Sequence, residues 1–224
     1  RPQAFKGQVS RLYHNLGHGV FEDVTKQAGF LNAPNTKALG VTICDYDGDG
    51  YPDILVANDT EPNQIWHNQG DGTFKEVAME AGIALSGEGT ARAGMGIDAA
   101  DVTQTGKFDV LITNFAGEQL SLYRRDTSGL FLDVSARSGV GIATQTYLGF
   151  GAFFFDFDLD GWPDLIVTNG HTDDTLAELG REGEYAQPAA LWKNDGGRFV
   201  LSGPAGDYFQ SPHVGRGLST ADFD

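Results

Sequence analysis

The chain has 224 residues and carries 31 acidic against 15 basic side chains, a formal net charge of −16. A surface this acidic repels phosphate groups, so nucleic acid and acidic membranes are disfavoured as partners. Cys44 is the only cysteine, which excludes an internal disulfide framework and a cysteine-based zinc site. Its apolar neighbours predict a buried, unreactive thiol. No run of 18 apolar residues occurs, so no membrane-spanning helix is predicted.

Residues 11–30 predict a single hairpin. An apolar-aromatic strand around Tyr13 is followed by a glycine-containing turn and a second strand opened by Phe21. The same pattern returns three times, with its aromatic residue at Trp66, Tyr123 and Trp192. We expect these four aromatic side chains in the core between repeating units.

The first complete unit, about residues 39–83, contains the loop D-Y-D-G-D-G-Y-P-D. Its carboxylates occupy positions 1, 3, 5 and 9 and belong to Asp45, Asp47, Asp49 and Asp53. Alternate residues of an extended or turning backbone point the same way, so the first three side chains converge. Gly50 at the sixth position permits the sharp bend that brings the fourth carboxylate round.

Four neighbouring carboxylates repel one another unless a cation neutralises them, and an all-oxygen set in a flexible loop suits Ca²⁺ better than Mg²⁺. We expect the carbonyl oxygen of Tyr51 to complete the shell. An EF-hand would place glutamate at position 12 and a helix on either side, but here position 12 is Val56 and short β-branched runs flank the loop. The loop is therefore predicted to join two strands. An acidic turn without metal is the alternative interpretation.

The second complete unit, about residues 93–140, has a degenerate loop. Threonine stands at its third and fifth positions and Lys107 at its seventh, so two carboxylates remain. Hydroxyl groups are weaker cation ligands than carboxylates, and the lysine adds positive charge. We predict a weak or empty site that is kept as a turn. Its remaining ligands would be Asp101, Thr103, Thr105 and Asp109.

The third complete unit, about residues 148–201, repeats the acidic loop as D-F-D-L-D-G-W-P-D. The same reasoning predicts a second calcium site. Its ligands would be Asp156, Asp158, Asp160, Asp164 and the carbonyl oxygen of Trp162.

An insertion at residues 171–188 lengthens the third unit, and Leu176 and Leu179 suggest one or two helical turns within it. A long loop on a repeat scaffold is a common place for a specific function, whereas a tolerated surface insertion is the alternative. The candidate partner-binding side chains are His171, Asp173 and Asp174.

Residues 213–224 begin a further unit, in which Asp222 and Asp224 would open an incomplete metal site. The first loop aspartates fall at 45, 101 and 156, and each unit reads as four antiparallel strands. Four-stranded units at this period predict that residues 1–224 form a single all-β region, which is either a β-propeller or a segment of one. The two ends either belong to a larger propeller or meet in one composite blade, within the chain or between subunits.

The loops, the hairpins and the glycines before each loop together resemble the FG-GAP/VCBS repeat propellers of the ASPIC/UnbV type, which are related to cartilage acidic protein. The glycine-rich sequences that carry this resemblance are Leu39-Gly40, Ala93-Gly94-Met95-Gly96 and Leu148-Gly149-Phe150-Gly151. The resemblance implies a calcium-stabilised propeller that is secreted, extracellular or on the cell surface. The periplasm is the alternative location. It also implies adhesion, assembly or ligand display, as in the related integrin α-subunit head.

The expected function is therefore a structural or binding module rather than an enzyme, with a protein or glycan partner or self-association by blade completion. A carbohydrate-active or other hydrolytic propeller enzyme, with its site near 171–188, is the alternative. Most clustered carboxylates are already assigned as ion ligands, and the histidines lack metalloprotease spacing. His14 and His67 stand at equivalent hairpin positions, which predicts surface strand positions for both.

Overall fold

Three consecutive four-stranded antiparallel sheets make up most of the chain in the computed structural model, which describes residues 4–203 and 205–221. A two-stranded hairpin comes first, with β1 (Tyr13–Gly17) and β2 (Val20–Asp23). The first sheet contains β3 (Ala38–Cys44), β4 (Asp53–Asn58), β5 (Gln64–Asn68) and β6 (Phe74–Glu76). The second contains β7 (Gly94–Ala100), β8 (Asp109–Asn114), β9 (Ser121–Arg125) and β10 (Phe131–Asp133).

The third sheet is interrupted by the insertion. It contains β11 (Gly149–Phe155) and β12 (Asp164–Asn169), then β14 (Ala190–Asp195) and β15 (Arg198–Leu201), while β13 (Gln187–Pro188) pairs instead with β16 (Pro212–His213). Helices are short: α1 (Ala78–Ala81), α2 (Ser135–Ser138), α3 (Asp207–Gln210) and 3-10 turns at Phe30–Asn32 and Ile142–Thr144. Among the described residues, no helix is long and apolar enough to cross a membrane.

The predicted unit of four antiparallel strands is confirmed in all three sheets. Each nine-residue loop closes a hairpin between the first and second strand, since its ninth residue pairs with the residue before its first: Cys44 with Asp53, Ala100 with Asp109 and Phe155 with Asp164. No EF-hand helices flank the loops in the part of the chain that the structure describes.

The first strands of the three sheets lie side by side, with β7 packed between β3 and β11. This is how neighbouring blades are arranged in a propeller, where the first strand of each sheet is innermost. The close approach requires small residues. A side-chain carbon on Gly96, for example, would lie 1.9 Å from the carbonyl oxygen of Phe150 in the next blade.

The apolar core lies between adjacent blades rather than within a single sheet. Trp66, Tyr123 and Trp192 are each almost fully buried there, as predicted from their equivalent positions. Tyr13 is different: 52% of its surface is exposed, so the expectation is wrong for the first hairpin. Every residue of β1 and β2 is exposed, because a sheet of only two strands covers few of its own side chains.

Cys44 packs partly against the core between the first two blades, and burial raises the pKa of its thiol to about 12. A thiol with so high a pKa stays protonated at neutral pH. The prediction of an unreactive cysteine therefore agrees with its surroundings.

The insertion forms one hydrogen-bonded turn around Thr175–Arg181. Leu176 is buried beneath it and Leu179 is exposed. After β16 the chain runs beside the third blade, where the amide of Gly215 donates to the carbonyl of Asn169 at 2.9 Å. Asp222 and Asp224, the predicted start of a further metal loop, lie outside the described residues.

Candidate metal centre

The first acidic loop is shaped by its own backbone amides. Both oxygens of Asp45 accept hydrogen bonds from inside the loop: Gly48 N at 2.8 Å, Asp49 N at 3.1 Å and Gly50 N at 2.9 Å. Gly50 takes the left-handed conformation, with φ of 91°, as expected for the sharp bend at the sixth position. The first aspartate therefore folds the loop and leaves the later carboxylates to point inward.

The carboxylates of the first loop converge as predicted. Oxygens of Asp45, Asp47 and Asp49 lie within 4.8 Å of one another, and Asp47 also meets Asp53 and His67 at the same separation. Asp53 is fully buried at the base, where it accepts from Asn68 N at 2.8 Å and Tyr46 N at 3.1 Å. Burial raises the pKa of Asp53, and the neighbouring charge of Asp47 adds to that effect.

His67 is part of this cluster, although the sequence predicts it at the strand surface. Its Nδ1 lies 3.2 Å from Asp53 Oδ1 and 3.3 Å from Asp47 Oδ2. His14, at the equivalent place in β1, is exposed as predicted. The two positions differ because the strand beside β1 leads into no acidic loop, whereas β5 pairs with the strand that begins at Asp53.

The third loop has the same framework. Asp156 accepts hydrogen bonds from Asp160 N at 3.0 Å and Gly161 N at 2.8 Å, and oxygens of Asp156, Asp158 and Asp164 lie within 4.8 Å of one another. Asp164 is fully buried, and burial raises the pKa of its carboxyl group.

Lys193 covers the mouth of the third loop. Its Nζ donates to Asp158 and lies 3.0 Å from Asp160 Oδ2. The pKa of Asp160 is lowered, first by the hydrogen bond from Trp162 N and then by Lys193. The ammonium group therefore pairs with two of the five predicted calcium ligands of this loop.

The degenerate middle loop keeps the fold without the carboxylate cluster. Asp101 accepts from Thr105 N at 2.9 Å and Gly106 N at 2.6 Å, so the turn is held as in the acidic loops. Asp109 is buried and paired with Arg124, whose Nε lies 2.8 Å from its Oδ2. Burial raises the pKa of Asp109, and the hydrogen bond from Arg124 opposes that shift.

The positive charge at the middle loop therefore comes from Arg124. Lys107 was expected to supply it, but its Nζ donates instead to the carbonyl of Asp126 at 2.8 Å. The Thr103 and Thr105 hydroxyls lie 3.1 Å apart and hydrogen-bond to each other. A weak or empty site remains the prediction for this loop.

Strand register explains why every loop has a basic neighbour. The second and third strands pair Ile54 with Trp66, Val110 with Tyr123 and Leu165 with Trp192. In each pair, the residue directly before the aliphatic one is the ninth aspartate of the loop. The residue directly after the aromatic one is basic. In antiparallel strands these two flanking positions also face each other. The basic residues are His67, Arg124 and Lys193.

The two acidic loops fit calcium by the chemistry of their donors. Their carboxylate oxygens are hard ligands in a flexible hairpin, and each cluster rests on one fully buried aspartate. The amides of Tyr51 and Trp162 donate to Asp49 Oδ1 at 2.8 Å and Asp160 Oδ1 at 2.9 Å. The carbonyls of these two residues remain predicted ligands.

The candidate residues of the insertion are only partly brought together. His171 is 6% exposed, and its Nδ1 accepts a hydrogen bond from Asp173 N at 3.0 Å. Asp173 also lies 3.6 Å from Arg181, whereas Asp174 is exposed. The three residues therefore do not form one cluster.

Comparison with known proteins places these features in a family. The FG-GAP-like repeat matches residues 6–56, 45–112 and 101–167. Cartilage acidic protein 1 of Xenopus tropicalis is 26% identical over 222 residues, which cover 97% of this chain and 32% of that protein. The Mus musculus protein of the same name is 31% identical over 194 residues, 83% of this chain and 27% of that protein. The chain thus spans about a third or less of the length of these relatives.

Among solved structures, an Agrocybe aegerita lectin that recognises non-reducing terminal N-acetylglucosamine aligns with 88% of this chain and 60% of its own, at 20% identity and a TM-score of 0.38. The repeat matches run together from residue 6 to residue 167, well over half of the 224 residues. They confirm the resemblance seen in the loops and hairpins, and the chain belongs to the FG-GAP-like repeat family.

Proposed function

We propose that this chain is a calcium-binding repeat module of an extracellular protein, in which the ions stiffen a scaffold for structural, adhesive or assembly contacts with protein or glycan partners. One observation carries the proposal: carboxylates converge at the same hairpin tip in the first and third blades, each time above a fully buried aspartate. The relationship to cartilage acidic protein 1 supports the extracellular setting.

The ions would act through the folding equilibrium. The folded hairpins gather the carboxylates, whereas the unfolded chain separates them, so calcium binds the folded state preferentially. Such binding stabilises the fold by about 2.7 kcal/mol per site when free ion is a hundredfold above Kd. Extracellular modules typically bind calcium with Kd values of roughly 10⁻⁴ to 10⁻³ M, which suits a millimolar calcium environment.

Of the candidate residues in the insertion, Asp173 does not suit carbohydrate hydrolysis. A glycosidase needs a carboxylic acid whose pKa is raised so that it can donate a proton. Asp173 is in the opposite state, because hydrogen bonds from the hydroxyl and amide of Thr175 lower its pKa and Arg181 adds to that effect.

Calcium titration with a thermal melt tests the proposal. We expect calorimetry to show two calcium ions bound to the parent chain, and we expect a lower melting midpoint after chelation. At free calcium a hundredfold above Kd, Asp47→Ala and Asp158→Ala should each remove one ion and roughly 2 to 3 kcal/mol of calcium-dependent stability. Thr103→Ala, at the same position of the middle loop, is the matched control and should change neither quantity. Absence of binding at millimolar calcium would refute the proposal.

Lys193 should weaken the third site, since its ammonium must release Asp158 and Asp160 before both can bind an ion. We expect Lys193→Met to tighten calcium binding at the third loop by roughly three- to tenfold, because removal of the ammonium group leaves both carboxylates free to bind the ion. Lys75→Met is the control, because Lys75 pairs with Glu80 rather than with a carboxylate of the third loop. Unchanged or weaker calcium affinity in Lys193→Met would contradict the competition.

A further inference from the structure

A cavity of about 690 Å³ opens at the end of the blades opposite to the acidic loops. Its wall includes Leu39, Met95 and Phe150 from the beginnings of β3, β7 and β11. It also includes residues that follow the second strands, among them Asp59 after β4 and Phe115 after β8. The acidic loops join the other ends of these same strands, so the cavity and the loops are separate places on the molecule.

Part of the cavity wall is apolar and aromatic. Met95 is almost fully buried, and the rings of Phe115 and His171 pack edge to face with 5.4 Å between their centroids. Phe150 already carries a cation on its ring, since the guanidinium of Arg216 lies 4.4 Å from its centroid. Aromatic faces of this kind attract positively charged groups.

The polar part of the wall is negative. Asp59 Oδ1 is buried and has no hydrogen-bond partner among residues 4–203 and 205–221. Glu118 lies nearby: its Oε2 accepts from Ala93 N at 2.8 Å, and burial and the charge of Asp59 both raise its pKa. A buried carboxylate oxygen without a donor is costly, so a positive charge beside Asp59 is favoured.

The neighbouring basic side chains are already engaged. Lys37, behind Asp59, forms an ion pair with Glu61. Arg92, near Glu118, donates to Ser121 Oγ at 2.8 Å and to Glu88 Oε2 at 2.9 Å. Arg181 at the rim lies 3.6 Å from Asp173. Of the three carboxylates on the wall, Asp173 is thus paired with Arg181, whereas Asp59 and Glu118 form no ion pair within residues 4–203 and 205–221.

We propose that this cavity binds a positively charged organic group on an apolar stem, a guanidinium or an ammonium. The charged end would pair with Asp59 and Glu118, and the stem would pack against Met95 and Phe150. A cavity of this volume, largely apolar with a few convergent polar groups, is typical of ligand sites. A small molecule and an arginine or lysine side chain of another protein present this same chemistry.

Calorimetry with two probes of equal shape tests the charge requirement. In calcium-containing buffer, N-butylguanidinium should bind saturably, and the uncharged N-butylurea should bind roughly tenfold more weakly or not at all. Asp59→Asn and Glu118→Gln should each weaken N-butylguanidinium binding by roughly tenfold. Asp174→Asn, an exposed acid of the insertion, is the control and should bind as the parent does. Melting curves identify a variant that fails to fold. If Asp59→Asn does not fold, the binding of N-butylguanidinium to Glu118→Gln tests the charge requirement.

Two further arms separate the sources and the competing outcomes. If the tripeptide Ac-Gly-Arg-Gly-NH₂ binds more tightly than N-butylguanidinium, the group belongs to a protein partner; the reverse order supports a small molecule. Equal binding of N-butylurea, no saturable binding of either charged probe, or displacement of N-butylguanidinium by added calcium would overturn the inference. The site does not depend on the calcium proposal, because the Asp47→Ala and Asp158→Ala chains should still bind N-butylguanidinium.

Discussion

Gly96→Ala is expected to destabilise the protein by about 3 kcal/mol or more, the upper part of the range for overpacked cores. The added methyl carbon would lie 1.9 Å from the carbonyl oxygen of Phe150 and 3.2 Å from Thr113 Oγ1. The first contact is with the backbone of the next blade, which cannot rotate away as a flexible side chain would. Urea denaturation at constant calcium measures the loss.

Gly217→Ala provides a control at the equivalent position of the repeat, five residues before the first loop aspartate. Among the residues that the structure describes, none has an atom within 4 Å of a methyl carbon at Gly217, so the effect should stay within about 0.5 kcal/mol. Gly40 has a close contact like that of Gly96, 2.4 Å to the carbonyl oxygen of Met95. If Gly96→Ala and Gly217→Ala lowered the free energy of unfolding equally, the argument from blade-to-blade contact would be wrong.

Arg124→Met is expected to cost about 3–5 kcal/mol of unfolding free energy, the usual result of removing one partner from a buried ion pair. Asp109 is 1% exposed and would lose the guanidinium that pairs with it. Arg124 also donates to the carbonyl of Gly197 at 2.9 Å, so the contact between the middle and third blades is lost as well. Arg137→Met, an exposed arginine of α2, should stay within about 0.5 kcal/mol.

The pH dependence of the Arg124→Met variant identifies the cause. Burial already raises the pKa of Asp109, and the variant loses the hydrogen bond that opposes this shift. A carboxyl group whose pKa is higher in the folded state destabilises the fold while ionised. This penalty shrinks as the pH falls below the folded-state pKa and is gone below the ordinary pKa of the unfolded chain. The stability deficit should therefore shrink on acidification, and Asp109→Asn in the variant should recover part of it at neutral pH. A deficit that is constant with pH would assign the loss to packing alone.

The repeating unit and the acidic loops are local features, and the sequence alone was enough to predict them. Alternating apolar runs, the bend residue Gly50 and the spacing of Asp45 to Asp53 concern residues that are close in the chain. Their geometry follows from backbone sterics and from repulsion between neighbouring charges. The same holds for the four antiparallel strands, whose order follows from short connections.

The tertiary structure alone decided which distant side chains meet. His67 and Lys193 reach the acidic loops because strand register places them opposite Asp53 and Asp164, and a one-residue slip would turn them to the other face. Packing between blades decided that Tyr13 is exposed while Trp66 is buried. The cavity that contains Asp59 likewise exists only where three blades meet. Register and packing depend on contacts between residues far apart in the chain, and no local pattern encodes them.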